Sequence, residues 1–434
     1  MKRTLKLLLC MLLCTAFVLA GCGESEESSA PAISAEESKG GTTVTEKDIR
    51  ATDLLKNVTA RQLDFTAIER PYHPLMSDLA VKLAQQAQKE AGNDNMLISP
   101  LSVFYAMAMV SNGAVDKEAV NEFWGGVDTG HLNEFMSEYA SALPVGEKYK
   151  LSLANSIWFT EKHGFVANGD FLQTMADYYK AGAYQGAFDQ TTCEDINNWV
   201  EQNTLGMVKD ILDRIPEDAV MYLVNALAFE AEWMEKYDET QVREGAFTSA
   251  GGDIQTVQMM HSEESQYLED ENATGFLKYY AGMHYGFVAL LPKEGVSVEE
   301  YLSTLTGEGL QSMLKNRASN TVFAALPMFE TDFDMNLRDA LGQMGYPVDS
   351  SFDGLGFSPE GNVILGRILH KTYITVGPQG TKAGAATVVE AELECAPMYQ
   401  DPKYVTLDRP FVYMIIDTAH NTPIFVGTVS SIDK

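Results

Sequence analysis

Residues 95–109 read NMLISPLSVFYAMAM, and the organisation of the chain can be worked outward from them. Ser99-Pro100 restarts the chain, and after it Leu101, Phe104, Tyr105, Ala108 and Met109 recur at helix spacing, which predicts a helix with one buried face. On the N-terminal side, Leu79 to Ala84 opens a helical pattern that runs to about Ala91, where Gly92 and Asn93 supply a stop. On the C-terminal side the signals turn to strands: Leu151 to Phe159, then Val220 to Phe229 as an apolar strand buried on both faces, then Phe287 to Pro292 and Val322 to Phe329. Val412 to Ile416 and Ile424 to Val429 form a hairpin through His420-Asn421-Thr422-Pro423. Helices cluster before residue 215 and strands after it, so the fold class is α+β with large mixed or antiparallel sheets.

With 434 residues, 45% of them hydrophobic and 21% charged, the chain can bury a large core. No linker or repeat interrupts residues 60–434, which predicts one large domain there. Residues 1–21 have the character of an export signal: Lys2, Arg3 and Lys6 precede an apolar run from Leu7 to Val18, too short to span a membrane comfortably. Leu19-Ala20-Gly21-Cys22 resembles a bacterial lipobox, which makes Cys22 the expected lipidation site and the expected address an exported, membrane-anchored protein facing the exterior, or one released from the cell. Residues 22–59, rich in Glu, Ser, Ala, Gly and Thr, are expected to be an acidic flexible tether. Losing Lys2, Arg3 and Lys6 with the leader moves the net charge from -30 to -33, which excludes nucleic acid as a partner. Cys193 and Cys395 are the two thiols left besides Cys22, and neither a disulfide framework nor a metal cluster is expected.

Several stretches carry a family resemblance, in order along the chain. Asn95, Ser99, Pro100, Ser102 and Ala106 come first, then Leu153 to Trp158, then Ile196-Asn197, Trp199-Val200, Thr204 and Gly206. Leu223 to Ala226 with Phe229 and Trp233, Leu326-Pro327 with Phe329, Leu337 to Gly345 and His370-Lys371 follow, and Asp408 to Phe411 with Phe425 to Gly427 close the series. Over roughly residues 65–434 the chain resembles the serpin family of protease inhibitors. The resemblance implies helices packed around three β-sheets with an exposed reactive loop at about residues 375–404. It also implies suicide inhibition, in which the cleaved loop inserts into the main sheet and traps the acylated protease covalently. The partners would be serine proteases, with cysteine proteases as a second class, and the protein is expected to act as a monomer without cofactor or metal.

Within that loop, Gly380, Thr381, Ala383, Gly384, Ala385, Ala386 and Thr387 would form the hinge. Insertion requires a narrow strand with one dry face, and the residue types meet that requirement. Odd positions from Thr381 to Leu393 carry no charge, whereas Lys382, Glu390, Glu392 and Glu394 are all even. A slip by one residue would bury those charges at several kcal/mol each. Pro378, where the family usually has an acidic residue nearby, is expected to remove a ladder bond as the loop leaves its strand.

Counting from Gly380 by the family spacing puts the reactive bond at Glu394–Cys395, whereas counting back from Pro410 points to about Tyr399. The first count is preferred because the sheet fixes the inserted length, and the range extends over Leu393, Ala396, Pro397 and Met398. Targets would be elastase-like, chymotrypsin-like or glutamate-specific; no Lys or Arg lies between Lys382 and Lys403 for a trypsin-like enzyme. Cys395 is either a redox-sensitive thiol or a tolerated exposed one. The chain lacks G-x-S-x-G, H-E-x-x-H and phosphate-loop motifs, so it is not expected to be an enzyme. His370 is either pH-sensitive or a satisfied core histidine, and Trp158, Trp199 and Trp233 are read as core packing. The alternative reading is a non-inhibitory member that serves as a surface binding module.

Overall fold

Ser99 caps the helix that the opening stretch predicts: its side chain accepts the Ser102 amide, Pro100 takes the first helical position, and α2 spans Pro100–Ser111. All twelve residues of α2 are buried, not the single face expected, because the helix packs against a strand from each of the two large sheets. The preceding helix α1 spans Tyr72–Ala91 and stops where Gly92 adopts φ +61°. The computed structural model describes residues 48–63, 72–217, 219–381 and 401–432, all within one compact unit, Gly41–Lys434.

Three sheets are present among the described residues. The first has seven strands in the order β1 (Thr52–Asp53), β5 (Gly182–Gly186), β3 (Tyr149–Thr160), β6 (Met221–Glu232), β15 (Gly380–Thr381), β14 (Ile368–Gly377) and β12 (Phe329–Asn336). The second has nine. Its path is β16 (Lys403–Thr406), β11 (Ala318–Pro327), β8 (Ile254–Glu269), β9 (Ala273–Tyr279), β10 (Tyr285–Pro292), β17 (Phe411–Asp417), β18 (Thr422–Val429) and β2 (Met96–Ile98), and β7 (Val242–Thr248) pairs with β8. A small sheet pairs β4 (Val166–Ala167) with β13 (Gly356–Phe357).

Strand β6 is buried on both faces as expected. Leu223, Leu227 and Phe229 belong to the main core, while Tyr222 and Val224 pack with Trp158, Cys193, Ile196 and Trp199. Three expectations are corrected. Val322 to Phe329 is not one strand: β11 ends at Pro327, Met328 donates its amide to Gln258, and Phe329 begins β12 in the other sheet. Helices are not confined to the region before residue 215, since Val298–Thr304, Gly307–Lys315 and Leu337–Gln343 are helical and five strands lie earlier.

The folded unit also begins before Ala60, inside the stretch read as tether. Strand β1 covers the edge of β5 through Thr52↔Gln185 and Asp53↔Tyr184. Arg50 supplies Nε at 2.8 Å and its amide at 2.9 Å to Asp195, whose carboxylate is 1% exposed. A buried carboxylate and an open sheet edge both demand partners, and this short segment meets both demands.

Candidate functional site: the hinge and the forked sheet

The first sheet forks. At its lower end β6 and β14 pair directly and in parallel through Leu223↔Ile368 and Val224↔Leu369. At its upper end β15 lies between them, antiparallel to both, with Thr381 opposite Val376 and Ala231 and Gly380 opposite Gly377 and Glu232. Between these rungs, residues 225–230 of β6 and 370–375 of β14 pair with no described strand on their facing sides. Over these six rungs the gap between the two strands holds no described strand.

Gly380 is required where it stands. Its φ is +147°, and a Cβ there would lie 2.0 Å from the Ala231 carbonyl oxygen. Pro378 and Gln379 form the two-residue turn between β14 and β15, so Pro378 occupies no ladder position and the expected loss of a ladder bond is corrected. The turn is tied down by its carbonyls: Pro378 accepts the Tyr237 amide at 3.0 Å, Gln379 accepts the Trp233 amide at 3.0 Å, and Gly377 accepts Trp233 Nε1 at 2.8 Å. Thr381 is 0% exposed, and its hydroxyl lies 2.5 Å from that of Tyr280. The Tyr280 ring stacks on Trp233 with centroids 4.4 Å apart. Trp233 is core, as expected, and it also holds the turn.

At the lower end of the gap, His370 follows the last direct rung. It is 3% exposed, and its Nε2 accepts the Ser99 amide at 3.0 Å. Next to it, Thr372 donates its hydroxyl to the Leu97 carbonyl at 2.7 Å. Across the gap on β6, Asn225 donates to Asn155, and its own side-chain oxygen is buried without a partner. Burial pushes the His370 imidazole down to about 4 from 6.5. Unfolded, the ring binds a proton below about 6.5; folded, it resists until about 4. Stability from this residue is therefore full above pH 6.5 and drains as pH falls toward 4, by about 3 kcal/mol. Urea midpoints measured from pH 7 to 4 should fall more steeply for the parent than for His370→Gln; equal slopes would refute the assignment.

Of the predicted site residues, Gly380 and Thr381 come together with β6, β14 and Tyr280. Ala383, Gly384, Ala385, Ala386, Thr387, Leu393, Glu394, Cys395, Ala396, Pro397, Met398 and the lipidation residue Cys22 lie outside the described residues. Cys193 is a free, buried thiol that donates to the Leu212 carbonyl, and burial raises its pKa. Among the described residues no group of His, Cys, Asp and Glu could hold a metal ion. Tyr280 and Tyr237 escaped the sequence reading because nothing local marks them: Tyr280 meets Thr381 across 101 positions of chain.

Residues 74–432 match the family model described as Serpin (serine protease inhibitor), and the chain belongs to that family. It is similar to tengpin, a thermophilic serpin whose native-state crystal structure matches with a TM-score of 0.82 at 41% identity, over 88% of this chain and all of that one. The same protein in its latent state gives 0.74 at 39% identity, over 86% of this chain and all of that one. An uncharacterized serpin-like protein of Thermococcus kodakarensis is 28% identical over 77% of this chain and 80% of its own. Serpins are mostly protease inhibitors and not catalysts, although thyroxine-binding globulin shares the fold.

Proposed function

We propose that this protein is a single-use inhibitor of extracellular serine proteases. The observation that carries the reading is the fork itself: Thr381 already stands as an upper rung between β6 and β14, above their direct pairing, with its side chain turned inward. A strand continued from Thr381 in the same register turns Ala383, Ala385, Thr387, Val389, Ala391 and Leu393 to the core and leaves Lys382, Glu390, Glu392 and Glu394 in water. Ile374 and Phe229, buried on the two sides of the gap, are the neighbours that Ala383 would meet. A small residue fits there.

The reactive bond is Glu394–Cys395 or another bond within Leu393 to Met398, and the target is elastase-like, chymotrypsin-like or glutamate-specific. Cleavage forms an acyl-enzyme, and insertion of the freed loop carries the protease away before water can release it. The protein acts as a monomer, exported and held at the membrane by lipid on Cys22. Incubation of residues 48–434 with the three protease types, followed by denaturing electrophoresis and mass spectrometry, tests this. A covalent complex with release of the peptide after the cut supports trapping; cleavage by all three without complex supports the non-inhibitory binding module. Incorporation of labelled lipid by the full chain, abolished in Cys22→Ser, tests the anchor.

A further inference from the structure

We propose that Tyr280 is a positioning residue for insertion: its hydroxyl, bonded to Thr381, seats the hinge as the first rung of the incoming strand and sets the register in which the rest follows. The proposal rests on the trapping reading above. Tyr280 and Thr381 are both 0% exposed, and each hydroxyl is the other's hydrogen-bonding partner at 2.5 Å. Losing either hydroxyl leaves the other buried and orphaned.

Tyr280 directly follows strand β9 of the second sheet and donates its amide to the Tyr285 carbonyl of β10 at 3.1 Å, so the hinge is fastened to an element outside the sheet it enters. The ring cannot drift. Trp233 stacks on it at 4.4 Å, Phe229 meets it edge-on at 5.2 Å, and Trp233 is itself fixed by its bonds to Gly377 and Gln379. Register follows from residue type. A slip of one residue would bring Lys382 to the Tyr280 hydroxyl, in a site where the neighbouring Trp233 ring already faces the ammonium of Lys278 at 5.6 Å. Only the threonine fits. Two rungs seated before cleavage also remove the closure entropy of starting the new strand, so after the cut each further residue extends an existing ladder.

Tyr280→Phe keeps the ring and its stack and deletes the hydroxyl. Hydrogen exchange of the amides in residues 376–381 should then run roughly tenfold faster. With a protease that cuts within Leu393 to Met398, acylation should keep its rate while more inhibitor is cleaved per complex formed. Thr381→Val should behave alike, the double variant should add nothing further, and Thr381→Ser should restore the parent values. A tyrosine that served packing alone would lower the melting temperature and leave exchange at the hinge and the partition unchanged, and that result would overturn the proposal. Faster exchange in Tyr280→Phe beside a parent that traps no protease would instead sink the trapping reading and leave the hinge contact standing.

Discussion

Thr381→Arg should turn the inhibitor into a substrate. The threonine side chain is fully buried between Ala231 and Val376, under Tyr280, and no carboxylate hydrogen-bonds or pairs with it there. A guanidinium at that position must stay dehydrated and unpaired or pull the hinge out of the sheet, at a cost of several kcal/mol either way. About 3 kcal/mol added to the insertion barrier slows it roughly 100-fold. The acyl-enzyme then has time to hydrolyse, and the gel should show cleaved protein and active protease where the parent gives a complex. Thr381→Ser, which keeps the hydroxyl, is the control. Trapping by Thr381→Arg at the parent's efficiency would mean that insertion through this fork is not how the protein works.

Cleavage itself should make the protein much harder to unfold. The parent carries two facing strand edges, residues 225–230 and 370–375, without a described partner on those sides. A strand laid between them closes on the order of ten backbone hydrogen bonds at about 1 kcal/mol net apiece. A gain near 10 kcal/mol in a domain of this size raises the unfolding midpoint by at least about 10 °C. Scanning calorimetry before and after a single cut within Leu393 to Met398 measures it, and cleaved Thr381→Arg should gain much less. A parent whose midpoint stays put after the cut does not insert its loop, which would favour the binding module.

Both results depend on a pattern visible in the bare sequence and on a geometry that is not. The alternation of charge along the loop follows from a strand period of two, and the side-chain environment of Thr381 agrees with the inward phase assigned to the odd positions. Periodicity likewise located α1, α2 and most of the long strands, and Ser99 with Pro100 marked the start of α2. Where it failed, no period existed to be found. A two-residue strand such as β1 has too few positions to alternate, and Pro327-Met328-Phe329 looks continuous because apolar residues continue across a change of sheet. Pro378 was misplaced for a related reason: its lack of an amide matters in a ladder and not in a turn, and the sequence does not say which it occupies.

The sequence by itself determined the class of fold, the ordered motifs of the family and the confinement of charge to even positions between Thr381 and Glu394. Each of these is local, written in residue types a few positions apart. The tertiary structure alone decided that Gly380 and Thr381 are seated between β6 and β14, that Trp233 and Tyr280 hold them there, and that these two strands pair directly only farther down the sheet. Those contacts join residues about 100 or more positions apart, and no local rule specifies which distant strand or ring will be there to meet them.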